Sequence, residues 1–220
     1  MGGGAESQRH SVALEAEIVT DPQKKAETEA RNGLRQFDIA MQVVAQAIER
    51  KQFKLRVSLI LSLQREALME LSGYAGNFRP AGVEIQGSNH QPVAAHLVAE
   101  LVEDLCEYVN TNWETATPIH LAAYVMWRLN WIHPFSDGNG RTSRTLSYLI
   151  LCIKLDAILP GFPAIPDQIV ENRTPYFKAL DAADAAYAEG RIDVSEMEKL
   201  LSGMLAAQLI SAFERAGGRS

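Results

Sequence analysis

From Thr142 to Leu155 the chain reads TSRTLSYLILCIKL, a run whose middle is apolar almost all round. A helix of that kind has no face to offer water, so its neighbours must enclose it, and it sets the centre of the fold. Candidates for the enclosing helices lie on both sides. Thr20, Asp21, Pro22 and Gln23 supply an N-cap, a first-turn proline and a capping-box glutamine, which predicts a helix reaching about Arg50. Leu34, Phe37, Met41, Val44 and Ile48 recur along it at three- and four-residue steps and are expected to form its buried face. A second helix over 55–72 carries Leu59, Leu63, Ala67, Leu68 and Leu71 and is expected to stop at Gly73. Further helices should run from Pro92 to about Asn110 and from Pro118, capped by Thr117, to about Ile132. Past the turn LPGFPAIP, Thr174 and Pro175 open a helix through Tyr187, and Asp193 caps a last one to about Phe213. On that last helix Leu200, Leu201, Leu205, Leu209 and Phe213 read as core, with a homodimer face as the alternative.

Only YAGNFRPAGVEIQGSNH, residues 74–90, reads as β structure, because Val83 and Ile85 alternate with Glu84 and Gln86 between glycines. The expectation is one compact, mainly α domain with a small β-hairpin laid against it. A hydrophobic fraction of 47% can fill such a core without disulfides or metals. Cys106 and Cys152 sit far apart within apolar helical patterns and read as buried thiols of a reducing compartment. With 21 Lys and Arg against 27 Asp and Glu, the net charge of -6 argues against a nucleic-acid partner. No stretch reaches the ~20 consecutive apolar residues of a membrane span, and MGGGAESQRH lacks the apolar region of a signal peptide. No membrane association and a cytoplasmic address are the expectations.

Immediately ahead of the enclosed helix stands HPFSDGNGRTSR, residues 133–144. Singly, its parts have ordinary structural uses; together they hold a polyphosphate beside a group that can accept a proton. Pro134 biases His133 away from helical dihedrals, so the preceding helix ends there and the imidazole projects from a turn. Phe135, apolar in a polar loop, anchors that loop to the core. Gly138 and Gly140 allow left-handed or tight backbone that brings N–H groups to an anion. The helix that follows adds unpaired N–H donors and a positive dipole end. Arg141 and Arg144, three residues apart, face the same way and away from Leu146, Ile150 and Ile153. Asp137 amid these cations suits one carboxylate holding Mg²⁺ against phosphate oxygens. No GKS or GKT follows the glycines, so this is not a Walker loop.

The segment resembles the Fic (Fido) family, whose signature HxFx(D/E)GNGRxxR is met by His133, Phe135, Asp137, Gly138, Asn139, Gly140, Arg141 and Arg144. The family is similarly α-helical with a β-hairpin flap before the motif, here 78–90, so the resemblance covers most of the chain, with the Fic domain over 21–220. It implies transfer of AMP from ATP to a Ser, Thr or Tyr hydroxyl of a target protein, with pyrophosphate leaving. By the same resemblance His133 is the general base, Asp137 the Mg²⁺ ligand and Asn139 a contact to the α-phosphate. Arg141 and Arg144 hold the β and γ phosphates, and the turn's amides form the anion hole. Val83, Glu84 and Ile85 of the flap are expected to offer a strand edge to the target's backbone. Tyr176, on the helix near which the family's adenine lies, is a candidate pocket residue. Asp184 stands where relatives often have Asn, which leaves base preference open.

Near the N-terminus, SVALEA, residues 11–16, is similar to the (S/T)xxxE(G/N) pattern that many members carry on an inhibitory helix, with Ser11 and Glu15 matching and Ala16 departing. The implied brake, assigned to 1–20, has Glu15 pair with Arg144 and so displace the γ-phosphate. The same glutamate could position water to remove AMP, so a deAMPylase is one alternative. Transfer of UMP, phosphocholine or phosphate is another, and a nucleotide-binding interaction module without turnover is a third.

Overall fold

The computed structural model describes residues 9–12 and 18–217. Among them are two short strands, β1 (His10–Val12) and β2 (Glu84–Gln86), and eight α-helices. The helices are α1 (Pro22–Arg50), α2 (Val57–Leu68), α3 (Val98–Thr111), α4 (Pro118–Ile132), α5 (Asn139–Lys154), α6 (Ile165–Glu171), α7 (Arg173–Ala188) and α8 (Ser195–Arg215). No helix among the described residues is long and apolar enough to cross a membrane.

The apolar run is α5, and every residue from Thr145 to Ile153 is buried. Helices α1, α2, α4 and α6 pack around it. Each of its buried Leu and Ile side chains contributes about 2 kcal/mol by leaving water. Two of its buried hydroxyls are matched, Ser147 donating to the Ala122 carbonyl at 2.8 Å and Thr145 to Gln36 Oε1 at 3.1 Å, whereas Thr142 Oγ1 is buried without a partner among the described residues. Helix α4 is equally enclosed, in contact with α3, α5, α7 and α8, and Leu121 through Leu129 are all buried. Cys106 and Cys152 are buried free thiols, and burial pushes the Cys106 thiol up to about 12.

Several expectations are corrected. The buried face of α1 runs through Asn32, Gln36, Ala40, Val44 and Ala47, while Leu34 is 71% exposed. Small and amide side chains face inward because α1 lies close to α2: Asn32 donates to the Met69 carbonyl at 2.6 Å and Gln36 to that of Leu63 at 3.0 Å. Helix α2 ends at Leu68, not near Gly73, and the left-handed residue past it is Glu70. Pro92 opens no helix; a single 3-10 turn, Ala95–Leu97, leads into α3. Helix α6 begins within the end of the stretch read as a turn and is short enough that its one buried pair, Ile165 and Ile169, shows no period. On α8 the buried residues are Met197, Leu201 and Gln208, whereas Leu209 and Phe213 are exposed.

The expected β-hairpin is also corrected. Residues 74–90 contain one strand, β2, and its antiparallel partner is β1, with Ser11 opposite Ile85. The chain cannot fold back on β2 from its own C-terminal side, because Gly87 turns away at φ 76° and His90 is held by the Trp131 carbonyl at 2.7 Å. Ser11, expected on an inhibitory helix, lies in β1. Glu15 lies outside the described residues.

Candidate active site

Helix α4 ends at Ile132, and His133 caps it in the left-handed region at φ 52° and ψ 58°. Pro134 disfavours right-handed helical dihedrals here, but the conformation taken is left-handed rather than the extended one a following proline usually selects. His133 is buried, with Nδ1 3.3 Å from the Asn130 carbonyl and Nε2 2.7 Å from Ser11 Oγ. A carbonyl can only accept, so Nδ1 carries the proton and Nε2 presents its lone pair to the hydroxyl. Burial, with the charges of His90 and Arg79 adding to it, pushes the imidazole down to about 4. The imidazole is therefore neutral throughout the physiological range.

The loop from His133 to Asn139 is tied from within and from behind. Phe135 is fully buried, its ring 5.9 Å from that of Phe78. Asn139 accepts from the Phe135 amide at 3.0 Å and donates to the Phe135 carbonyl at 2.8 Å, closing the loop on itself. Its Nδ2 is also 3.4 Å from Ser11 Oγ, so Asn139 clamps the loop and faces that hydroxyl. Gly138, at φ 80°, caps α5; a Cβ there would lie 2.3 Å from Leu68 Cδ2. Gly140 is helical, and a Cβ there would meet Arg144 Nη1 at 3.0 Å.

The charged residues converge on the same space. Asp137 accepts from the Gly138 amide at 2.6 Å and pairs with Arg141 at 3.1 Å, its side chain still 54% exposed. Arg141 also lies 3.8 Å from Glu29. Arg144 is hydrogen-bonded to Tyr176, and burial lowers its proton affinity. Asn130 holds this group together, donating to the Tyr176 hydroxyl at 2.9 Å and the Ser143 hydroxyl at 2.7 Å. His133, Asp137, Gly138, Arg141 and Arg144 line one cavity of about 750 Å³, within the range of small-molecule sites. Among the described residues no three His, Cys, Asp or Glu side chains cluster for a metal. One half-exposed carboxylate beside an anion loop nevertheless suits Mg²⁺, which is bound by one or two carboxylates plus substrate phosphates.

Tyr176 and Asp184 both border the cavity. Asp184 is engaged by Trp127, which donates from Nε1 at 2.8 Å, and faces His90 at 3.6 Å; burial raises its carboxyl. Of the flap residues, Val83 is buried, Glu84 exposed, and Ile85 lines the cavity. Three residues were not anticipated. Arg79, buried, donates to the carbonyls of His133 at 2.8 Å, Ala81 at 2.9 Å and Val93, and so ties the flap to the catalytic turn. Gln64 bridges the Asp137 carbonyl and the Gly76 amide. Neither carries a sequence signal. Asn130 did carry one, an amide inside a helix that is otherwise almost wholly apolar.

Residues 54–151, from α2 through the motif helix, match the family model described as Fic/DOC family. The chain carries a Fic domain and belongs to that family. A curated relative, protein adenylyltransferase Fic from Drosophila persimilis, is 30% identical over 190 residues, covering 80% of this chain. The chain spans only about a third of that relative's length (35%). Among solved structures, Fic-1 from C. elegans superimposes with a TM-score of 0.69 at 22% identity, over 90% of this chain and 55% of that one. BepC from Bartonella tribocorum with bound AMPPNP superimposes at 0.54 and 14% identity, over 84% of this chain and 88% of that one. At these identities the structural likenesses show the Fic fold.

Proposed function

We propose that this Fic domain transfers AMP from ATP to a hydroxyl of a target protein. The observation that carries the reading is the 2.7 Å contact between His133 Nε2 and a serine hydroxyl, at the edge of a cavity that also holds the anion loop of 138–144. The name of the Drosophila relative and the AMPPNP bound in BepC support the nucleotide and the group transferred.

In this reading the triphosphate lies along the N-terminus of α5. The first-turn amides and the helix dipole meet one phosphate, and Arg141 and Arg144 neutralise the others. Asp137 would hold Mg²⁺, which would supply positive charge to neutralise the phosphates. The hydroxyl attacks the α-phosphorus while His133 Nε2 takes its proton, and pyrophosphate leaves. Preorganisation accounts for much of the rate: Arg79, Gln64 and Asn139 hold the loop before substrate arrives, so little reorganisation remains at the transition state. Targets dock by strand pairing on β2. Glu15 acts as a brake by pairing with Arg144; Ser11, four residues before it in sequence, lies at the cavity. The site is assigned to a cytoplasmic enzyme.

ATP labelled at the α-phosphate should transfer label to proteins of a cell extract, and more strongly with Glu15→Gly. ATP labelled at the γ-phosphate should transfer none, and His133→Ala should abolish incorporation in both backgrounds. Label arriving from the γ-position would replace AMP transfer by phosphate transfer.

A further inference from the structure

The edge of β2, where a target's backbone is expected, is taken in this structure by the chain's own residues 10–12. The antiparallel register sets Ser11 opposite Ile85, a residue that lines the cavity. Strand pairing of this kind fixes which side chain points at the site, because successive residues alternate between faces. Ser11 is the residue on the cavity face, and its hydroxyl reaches the base.

The hydroxyl is arranged as an acceptor rather than as a filler. Its proton has one strong acceptor within reach, His133 Nε2 at 2.7 Å, inside the range a general base requires. One lone pair faces Asn139 Nδ2 at 3.4 Å, which leaves the second for the phosphorus. Two residues earlier a second anchor holds the same segment. One nitrogen of Arg9, Nη2, donates to both oxygens of the Asp181 carboxylate on α7, at 2.7 and 2.9 Å, and the guanidinium lies over the Phe177 ring at 4.6 Å. Arg9, Phe177 and Ser11 border the same cavity as the anion loop. The segment is therefore held at the strand edge, at the hydroxyl and at the guanidinium, by features independent of one another.

We infer that Ser11 is an acceptor for AMP in cis, with Asp181 and Phe177 forming a subsite for the basic residue two positions before the acceptor hydroxyl. The inference rests on AMP transfer as the activity of the site. In the step, Ser11 Oγ bonds to the α-phosphorus of ATP and the bond from that phosphorus to the oxygen bridging to the β-phosphate breaks. The hydroxyl proton passes to His133 Nε2, and pyrophosphate carries away the electron pair. The product leaves the adenylyl group in the catalytic cavity, so the reaction limits itself to one event per chain until β1 leaves the flap.

The test uses the full chain, as wild type and as Glu15→Gly, with Mg²⁺ and ATP, followed by intact mass and sequencing of the modified peptide. A cell extract is labelled in parallel. One adenylyl group on the peptide containing Ser11 is expected, appearing at a first-order rate that tenfold dilution leaves unchanged. Ser11→Ala should remove it and Ser11→Thr should retain it. Asp181→Asn should slow it by no more than about fivefold, since the pair is partly solvent-exposed. If the extract is labelled while the chain is not, or if Ser11→Ala labels itself as fast as its parent, the inference fails and AMP transfer stands. If neither chain nor extract gains label in any variant, both fail together.

Discussion

Replacing His133 by Asn should make the protein less sensitive to acid. The ordinary imidazole value is 6.5, and in the folded chain it falls to about 4. Burial is the main cause, the charges of His90 and Arg79 act in the same direction, and the Asn130 carbonyl and Asp137 oppose them. Between the two values the unfolded chain binds the proton and the folded chain does not, so stability rises with pH across that window. The contribution is fully present above pH 6.5 and is lost as pH falls toward 4. At 1.36 kcal/mol per pH unit of displacement, the loss between pH 7.5 and 4.5 comes to about 2.5 kcal/mol. Urea unfolding of wild type and His133→Asn at both pH values isolates this quantity, because the other titrating groups are common to the two proteins. Wild type should lose about 2.5 kcal/mol more than the variant, a midpoint difference of about 1 M urea for a slope of 2–3 kcal/mol per molar. Parallel losses would show that the imidazole is not withdrawn from water, and the argument for a permanently neutral base would go with it.

Gly138→Ala combines a left-handed backbone with a Cβ 2.3 Å from Leu68 Cδ2. The expected cost is about 2–4 kcal/mol, seen by calorimetry as a melting temperature lower by about 5–15 °C; a loss under about 1 kcal/mol would mean that α2 yields easily. Arg79→Lys keeps the charge but cannot reach three carbonyls at once. It should cost about 1–3 kcal/mol in chemical unfolding and lower kcat while KM for ATP changes little, because Arg79 holds the catalytic turn and not the anion loop.

The site itself was legible in the sequence to an unusual degree because its chemistry is local. His133 to Arg144 is one turn and the first turn of a helix, so spacing alone brings base, carboxylate, glycines and guanidiniums to the same place. Even within that segment the reasons shifted. Gly138 is favoured for its positive φ, as expected, but Gly140 is helical, and among the described residues a Cβ there would meet only the Arg144 guanidinium. Asn139 serves the loop as much as any ligand. Arg79 was invisible because two of its three carbonyl acceptors, those of Val93 and His133, lie 14 and 54 residues away, and nothing in the letters FRPAG announces them. Leu34 misled for a related reason. Periodicity reports which face is apolar, whereas close approach of two helices selects small and amide side chains, here Asn32, Gln36 and Ala40.

Sequence alone determined what is written in covalent neighbourhood: the longer helices, that α5 must be enclosed, and that an anion loop precedes it beside a histidine. Tertiary structure decided what depends on two distant segments meeting. It withdrew His133 from water, gave Asn130 its partners on α5 and α7, and paired residues 10–12 with 84–86 so that Ser11 reached the base. A three-residue strand has almost no intrinsic preference for its partner. The edge offered by β2, together with the anchors at Arg9 and Ser11, selects it only after the helices have placed the flap, α7 and the catalytic turn side by side.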